Sequence, residues 1–350
     1  MIEAASRSAT EDCRCPKCLE ARLQASATAW TCLACGQVYP CDRGVPRLYL
    51  EAALSKVDRD LRDRFYGGLV GIAYRQIMTF LTLPARPWSL SWPHWLVFAA
   101  VWSVLIAIVL RLEDLALVRH LQSFDAVDAA AVLAAVGAAI FFLAHAYLFD
   151  LFWLAIPVRI ALSRGRFTPI TSFQAVHRRV IEALKAAPGP LRVLDVSTGA
   201  CASLFRHGWM ELDAELTAVD LSPTMLFQGV EFMGRHKVPV RFALADAANL
   251  PFVSGSFDVV LNYGAINGMG DPARALAEMA RVARPAGVVL FLDEQLHAGA
   301  SGVERSYFKR VLASHDAIDH CPVELLPAGL ADVEVHQVYQ FYYICTARKL

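Results

Sequence analysis

The chain lacks an excess of charge of either sign: 33 lysines and arginines are matched by 33 aspartates and glutamates over 350 residues. Without a basic balance or a basic stripe, nucleic acid is not an expected partner. Charge is scarce altogether, at 19% of residues against 56% apolar, and the mean hydropathy is +0.40. Soluble domains sit nearer about 45–50% apolar, so the surplus must be concentrated somewhere. An apolar leader is missing as well. Met1 to Asp12 is polar and acidic, and no secretory signal peptide is expected. Nor is there an even set of cysteines. The chain has nine, four of them in two Cys-x-x-Cys pairs, which argues for a reducing compartment and metal ligation over a disulfide framework.

The apolar surplus lies between Trp88 and Val158. No Asp, Glu, Lys or Arg occurs between Arg86 and Arg111, and none from Ala129 to Phe149. About 20 apolar residues span a bilayer as a helix, so residues 91–158 are expected to form two transmembrane helices with a short loop, and the lipid bilayer to be a partner. Trp88, Trp92 and Trp95 stand at one edge and Tyr147 and Trp153 near another, as interfacial aromatics do. Arg75 and Arg86 precede the first run, and Arg159, Arg164 and Arg166 follow the second. The loop from Arg111 to Asp128 sets two arginines against four acids. Positive residues stay inside, which predicts a location in the inner or cytoplasmic membrane with both termini in the cytoplasm. His145 and Asp150, at or near the second span, read as interface markers or as functional groups. Residues 51–90, with Arg64-Phe65-Tyr66 and Ile72-Ala73-Tyr74, read as an amphipathic lead-in lying on the membrane or over the active site.

Residues 11–50 carry Cys15-Pro-Lys-Cys18 and Cys32-Leu-Ala-Cys35-Gly36. Zinc takes four soft ligands at tetrahedral corners, and each Cys-x-x-Cys turn offers two thiolates from one loop. Gly36 lets the backbone turn past the second pair at positive φ. A unit this small has little core of its own, so the metal supplies folding energy. These pairs, with Val38-Tyr39-Pro40 and Gly44-Val45-Pro46-Arg47-Leu48 after them, resemble the small zinc-ribbon protein that activates several tRNA and protein methyltransferases. The resemblance implies Zn2+ on Cys15, Cys18, Cys32 and Cys35. Cys13 and Cys41 depart from its pattern. The ribbon is also expected to be able to pack on the catalytic domain in cis.

From Thr171 to Leu350 the pattern alternates strands and helices. A helix from Gln174 to Ala187 stops at Pro188-Gly189-Pro190, and Leu191 to Val196 is a continuous apolar run, the mark of a strand buried on both faces. Strands are expected at Glu215–Val219, Val240–Leu244, Phe257–Leu261 and Val288–Leu292, with two more near Val333–Val338 and Phe341–Thr346. A helix is expected over Pro272–Ala283. Such alternation specifies a doubly wound α/β sheet, Rossmann-like, with its ligand at the C-terminal strand ends.

The order and spacing here resemble class I, S-adenosylmethionine-dependent methyltransferases, in the broad group that includes the quinone-biosynthesis C-methyltransferases. The resemblance implies a seven-stranded sheet and S-adenosylmethionine as cofactor. It places Asp195, Ser197 and Gly199 in the loop under the cofactor, Asp220 on the ribose hydroxyls with Leu221 and Met225 following, Asp246 and Ala247 at the adenine, and Asn262 at the fourth strand end. Only an ionised acid offers two acceptor oxygens to a diol, which is why Asp220 suits that position. The family loop reads Gly-x-Gly-x-Gly, whereas this chain has Ser197, Gly199 and Cys201, so a larger side chain stands where backbone approaches the cofactor.

Methyl transfer is an in-line displacement driven largely by holding donor and acceptor together. A base is needed only where the acceptor must lose a proton. The acceptor is expected near Tyr263, Asn267, Asp293 and His297, with Asp293 or His297 as candidate bases. A bilayer anchor confines the site with its substrates, which points to a lipid-soluble or small hydrophobic acceptor. Two alternatives stay open: a cofactor-binding scaffold without turnover, and a protein or tRNA methyltransferase whose ribbon is a built-in partner domain.

Overall fold

The computed structural model describes residues 10–68, 71, 173–186, 188–201, 203–204, 208–300, 302, 305, 308–309, 318–338 and 342–350. The two uncharged runs expected to span a membrane lie outside these residues. Among the described residues no helix is long and apolar enough to cross a membrane.

The strands are β1 (Leu23–Ala25), β2 (Ala29–Cys32), β3 (Val38–Asp42), β4 (Val45–Leu48), β5 (Leu191–Val196), β6 (Ala214–Asp220), β7 (Val240–Ala245), β8 (Phe257–Tyr263), β9 (Ala283–Glu294), β10 (Leu330–Val338) and β11 (Tyr342–Lys349). The helices are α1 (Lys56–Asp60), α2 (Phe173–Leu184), α3 (Pro223–Arg235) and α4 (Pro272–Val282). Each long helix after the first cofactor strand begins where the sequence provides a cap. Ser222 accepts from Met225 N ahead of Pro223, and Asp271 accepts from Arg274 N ahead of Pro272.

One sheet runs β1-β2-β3-β4-β7-β6-β5-β8-β9-β11-β10. Its catalytic part, β7-β6-β5-β8-β9, is parallel, and β11 inserts antiparallel between β9 and β10. β5 and β8 sit at the centre, and Val193, Leu194, Val196, Val259, Val260 and Leu261 are fully buried there, as strands covered on both faces require. The chain order reverses at β5, so the crevice for a ligand opens at the C-terminal ends of β5 and its neighbours. These strands match the expected ones closely. The fifth runs longer than expected, because Ala283 onward pairs with Phe257 before the turn at Pro285.

The cysteine segment does not stand apart from this sheet. β1, β2 and β3 form an antiparallel meander, and β4 pairs in parallel with β7 through Arg47–Leu244 and Leu48–Ala245. Residues 11–50 and the catalytic segment thus belong to one compact unit. Asp12 is buried between Arg192 and Arg241, two residues of β5 and β7. Burial opposes its charge, yet the bonds and charges of these guanidiniums hold its carboxyl below the usual range.

Candidate active site

The loop after β5 turns sharply at the crevice. Ser197, Gly199 and Cys201 have φ of 58°, 55° and 61°, all left-handed. Glycine carries this without strain. At Ser197 and Cys201 the cost is about 1 kcal/mol or more each. Asp195, fully buried, accepts from Thr198 Oγ1 at 2.6 Å, and Asn262 Nδ2 donates to Val196 O at 2.8 Å. Asp220, at the end of β6, accepts from Gly199 N at 2.8 Å with one oxygen and from Ser222 N at 2.7 Å with the other. Both oxygens are therefore aimed, and each retains a lone pair for a further donor. Removal from water raises Asp220 to about 6, against the pull of these backbone bonds. Asp195 rises to about 7 through burial, opposed by Thr198 and reinforced by the Asp220 charge.

Sequence reasoning expects the residue at position 201 to approach the cofactor. The structure turns its side chain elsewhere. Cys201 is fully buried, its Sγ 3.4 Å from Thr198 Oγ1, and a Cβ on Gly229 of α3 would stand 2.7 Å from that sulfur. The thiol packs against a glycine on the helix behind the loop. At Gly199 a Cβ would lie 3.3 Å from Met225 Cε, one turn before Gly229 on the same helix.

Asp246 directly follows β7 and accepts from Ala248 N at 2.8 Å, opening the short turn Ala247–Asn249. The adjoining Leu250-Pro251-Phe252 is gripped from two sides. Arg281 donates to Leu250 O and Phe252 O, and Glu278 accepts from Leu250 N. From the cysteine segment, Arg14 N donates to Pro251 O at 3.0 Å, Arg14 Nε to Leu250 O at 3.3 Å, and Asn249 Nδ2 to Pro16 O at 2.9 Å. Arg14 and Pro16 flank Cys15.

The four thiols of Cys15, Cys18, Cys32 and Cys35 lie within 4.8 Å of one another, with Cys15–Cys35 at 3.7 Å and Cys18–Cys32 at 3.5 Å. Ligands about 2.3 Å from a tetrahedral zinc stand about 3.8 Å apart, so this donor set fits that ion. Two matching turns build it. Leu19 N and Gly36 N donate back to Cys15 O and Cys32 O, with φ of 66° and 70°; the glycine was expected at positive φ, the leucine was not. Tyr39 Oη lies 3.0 Å from Cys15 Sγ. Cys13, beside Phe252, and Cys41 are not members of the cluster.

On the acceptor side, Asp293 at the end of β9 is buried and accepts from Asn267 N at 2.8 Å and Glu294 N at 2.9 Å. Asn267 is held in turn by Glu294 O and Tyr343 Oη. The Tyr263 hydroxyl is committed to Trp209 Nε1 at 2.6 Å and lies 2.9 Å from His177 Nε2, toward α2. His297 lies on the loop beyond β9, partly exposed. Of two further residues here, Glu294 was not singled out in the sequence, and Tyr66 was named there only as part of the lead-in. Tyr66, from the lead-in, is pushed up to about 12 by burial and by the charges of Asp220, Asp293 and Glu294. Glu294 is raised well above the carboxylate range by burial and by Asp293. The run of two acids at a strand end was the available signal for Glu294. For Tyr66 it was the aromatic lead-in.

The nine residues expected to hold the cofactor thus converge on the ends of β5, β6, β7 and β8. Asp195 Oδ1 and Asn262 Oδ1 are buried acceptors with no hydrogen-bond partner among the described residues. An ammonium group such as that of S-adenosylmethionine is the kind of donor such acceptors take, and Asp220 suits its diol.

Residues 194–291 match a family model described as a methyltransferase domain. Similar proteins include three demethylmenaquinone methyltransferases. That of Renibacterium salmoninarum is 36% identical over 116 residues, covering 33% of this chain and 46% of the relative. That of Deinococcus radiodurans is 33% identical over 137 residues, covering 39% and 57%. That of Thermus thermophilus is 34% identical over 137 residues, covering 39% and 62%. The chain thus spans about half the length of the curated relatives it matches. Strand order, loop geometry and this match together show that the chain contains a class I, S-adenosylmethionine-dependent methyltransferase domain.

Proposed function

We propose that the whole protein is a membrane-anchored methyltransferase that moves the methyl group of S-adenosylmethionine to a lipid-soluble or small hydrophobic acceptor, and that Zn2+ on Cys15, Cys18, Cys32 and Cys35 holds its N-terminal ribbon. The observation that carries the cofactor assignment is Asp220, whose two oxygens are each aimed by a backbone N–H at the crevice end of β6. A diol placed there meets a preorganised acceptor pair. Asp195 and Asn262 then receive the cofactor's ammonium, and Met225 with Gly199 keeps the loop close beneath it.

The acceptor class is supported by the relatives named as demethylmenaquinone methyltransferases. It is supported independently by the two uncharged runs, which favour a site kept at a bilayer. The packing of the buried Cys201 thiol against Thr198 and Gly229 supports a working site over a scaffold without turnover. Incubation of the detergent-purified protein with labelled S-adenosylmethionine and a lipid extract tests the assignment. Label in the organic phase is expected, and label confined to protein or water-soluble products would contradict it.

A further inference from the structure

The first part of the lead-in is fastened to both banks of the crevice, and methyl transfer as described above makes no use of that fastening. Counting outward from β5, the sheet order sets β6 and β7 on one side and β8 and β9 on the other. Right-handed crossovers then put α3, between β6 and β7, and α4, between β8 and β9, on opposite faces. Leu54 is buried on the α3 face, in a cluster with Leu226 and Leu244. Four residues later, Asp58 Oδ1 accepts from Gly270 N at 3.0 Å, in the turn that leads from β8 to α4. The segment stays helical through Phe65, and at Gly71 the chain is back at α3. There Gln228 Nε2 donates to Gly71 O at 3.0 Å, and a Cβ on Gly71 would stand 3.2 Å from Thr224 Cγ2. The turn after β8 and the first turns of α3 both follow C-terminal strand ends. Residues 55–68 with Gly71 therefore pass over the crevice beside Asp220 and Met225.

The base of this segment is held firmly. β4, just before it, pairs with β7, and Arg62 donates to the two Glu51 oxygens at 2.8 and 2.6 Å and to Tyr49 Oη at 3.2 Å. Arg59 Nη1 donates to Leu54 O at 2.7 Å. The far contact is lighter. The bond from Gly270 N to Asp58 is exposed, and the other Asp58 oxygen accepts the Ser55 hydroxyl at 2.6 Å. Gly270 lies close against that pair: a Cβ there would run into Ser55 Oγ and stand 2.7 Å from Asp58 Oδ2. An exposed hydrogen bond opens at low free energy, whereas paired strands and buried side chains stay closed. The electrostatics agree with this placement, since the carboxyl of Asp246, just after β7, is raised by burial and further by the charge of Asp58.

Resting on the methyltransferase reading above, we infer that residues 55–68 with Gly71 form a strap over the bound cofactor, hinged at its β4 end and latched by Asp58 to the turn after β8, and that this latch governs cofactor exchange. A ligand held by Asp220 lies beneath the strap, so S-adenosylmethionine enters and S-adenosylhomocysteine leaves when the latch is open. Closure keeps water from the sulfonium during transfer.

The test uses full-length, metal-loaded protein in detergent, as wild type, Asp58→Ala and Gly270→Ala. The first variant removes the latch from the strap, and the second pushes the strap away from the opposite bank. Bound, labelled S-adenosylhomocysteine is chased with unlabelled ligand, and hydrogen exchange over residues 55–68 is followed with and without it. The ligand should slow exchange in the wild type and slow it less in the variants. Release should be about three- to tenfold faster in each variant, the worth of one exposed hydrogen bond, with the melting transition of the ligand-free protein unchanged. Wild-type release rates in both variants, or exchange over the strap indifferent to ligand, would overturn the inference. So would faster release seen only together with a lowered melting transition, which marks the contact as structural. Failure of the wild type to bind either nucleoside would instead overturn the methyltransferase reading on which the strap rests.

Discussion

At the scale of single residues, the proposed cofactor site rests on two carboxylates and one glycine. Asp220 and Asp195 are held protonated more readily than in water, at about 6 and about 7, by burial before anything else. Both must be ionised to accept from a diol and an ammonium. The sign follows: affinity for S-adenosylmethionine is full only above both raised values and is lost as the pH falls through them. Isothermal titration from neutral pH downward should show a decline approaching tenfold per unit between the two values and a steeper one below the lower, where two protons must leave, and a flat profile would refute these assignments. Gly229 is tested differently. A Cβ there meets Cys201 Sγ at 2.7 Å and loop backbone at 3.2 Å, so Gly229→Ala must push the cofactor loop. We expect a loss of about 1–3 kcal/mol in stability with weaker cofactor binding, and recovery of both in the double variant with Cys201→Gly. The acids were legible from their spacing after strands. The destination of the Cys201 thiol was not, because a left-handed turn and a glycine 28 positions away jointly set it.

At the scale of elements, the cysteine segment and the loop after β7 are bonded into one piece. Cys15 lies between Arg14 and Pro16, which bond Pro251, Leu250 and Asn249 directly behind Asp246. β4 extends the same sheet past β7. Ligation that fixes Cys15 therefore steadies the loop that follows β7. Chelation of the purified protein should lower its melting temperature by several degrees and weaken S-adenosylmethionine binding about tenfold, the worth of one or two hydrogen bonds. Arg14→Ala should weaken binding with the metal retained, which metal analysis alongside calorimetry would show. Binding indifferent to metal would mean the ribbon is only attached. The Cys-x-x-Cys spacing disclosed the cluster from sequence alone, and the alternating apolar runs disclosed the parallel strands. The pairing of β4 with β7 was hidden, since Val45–Leu48 is a short strand whose partner lies nearly two hundred residues away.

At the scale of the whole molecule, one compact unit carries the cysteine segment, the described start of the lead-in (residues 51–68) and the methyltransferase sheet, and the uncharged runs fall in the stretch between residues 71 and 173 of that chain. If these runs anchor the protein, it should sediment with membranes, resist extraction by high salt and dissolve in detergent. Release by salt alone would contradict the anchor. The central claim concerns the crevice itself and is tested most directly by calorimetric titration of S-adenosylmethionine into full-length, metal-loaded protein, with Asp220→Ala alongside. Saturable binding by the wild type, lost in the variant while its melting transition persists, is the predicted result. Absence of binding by the folded wild type, or equal binding by the variant, would contradict it.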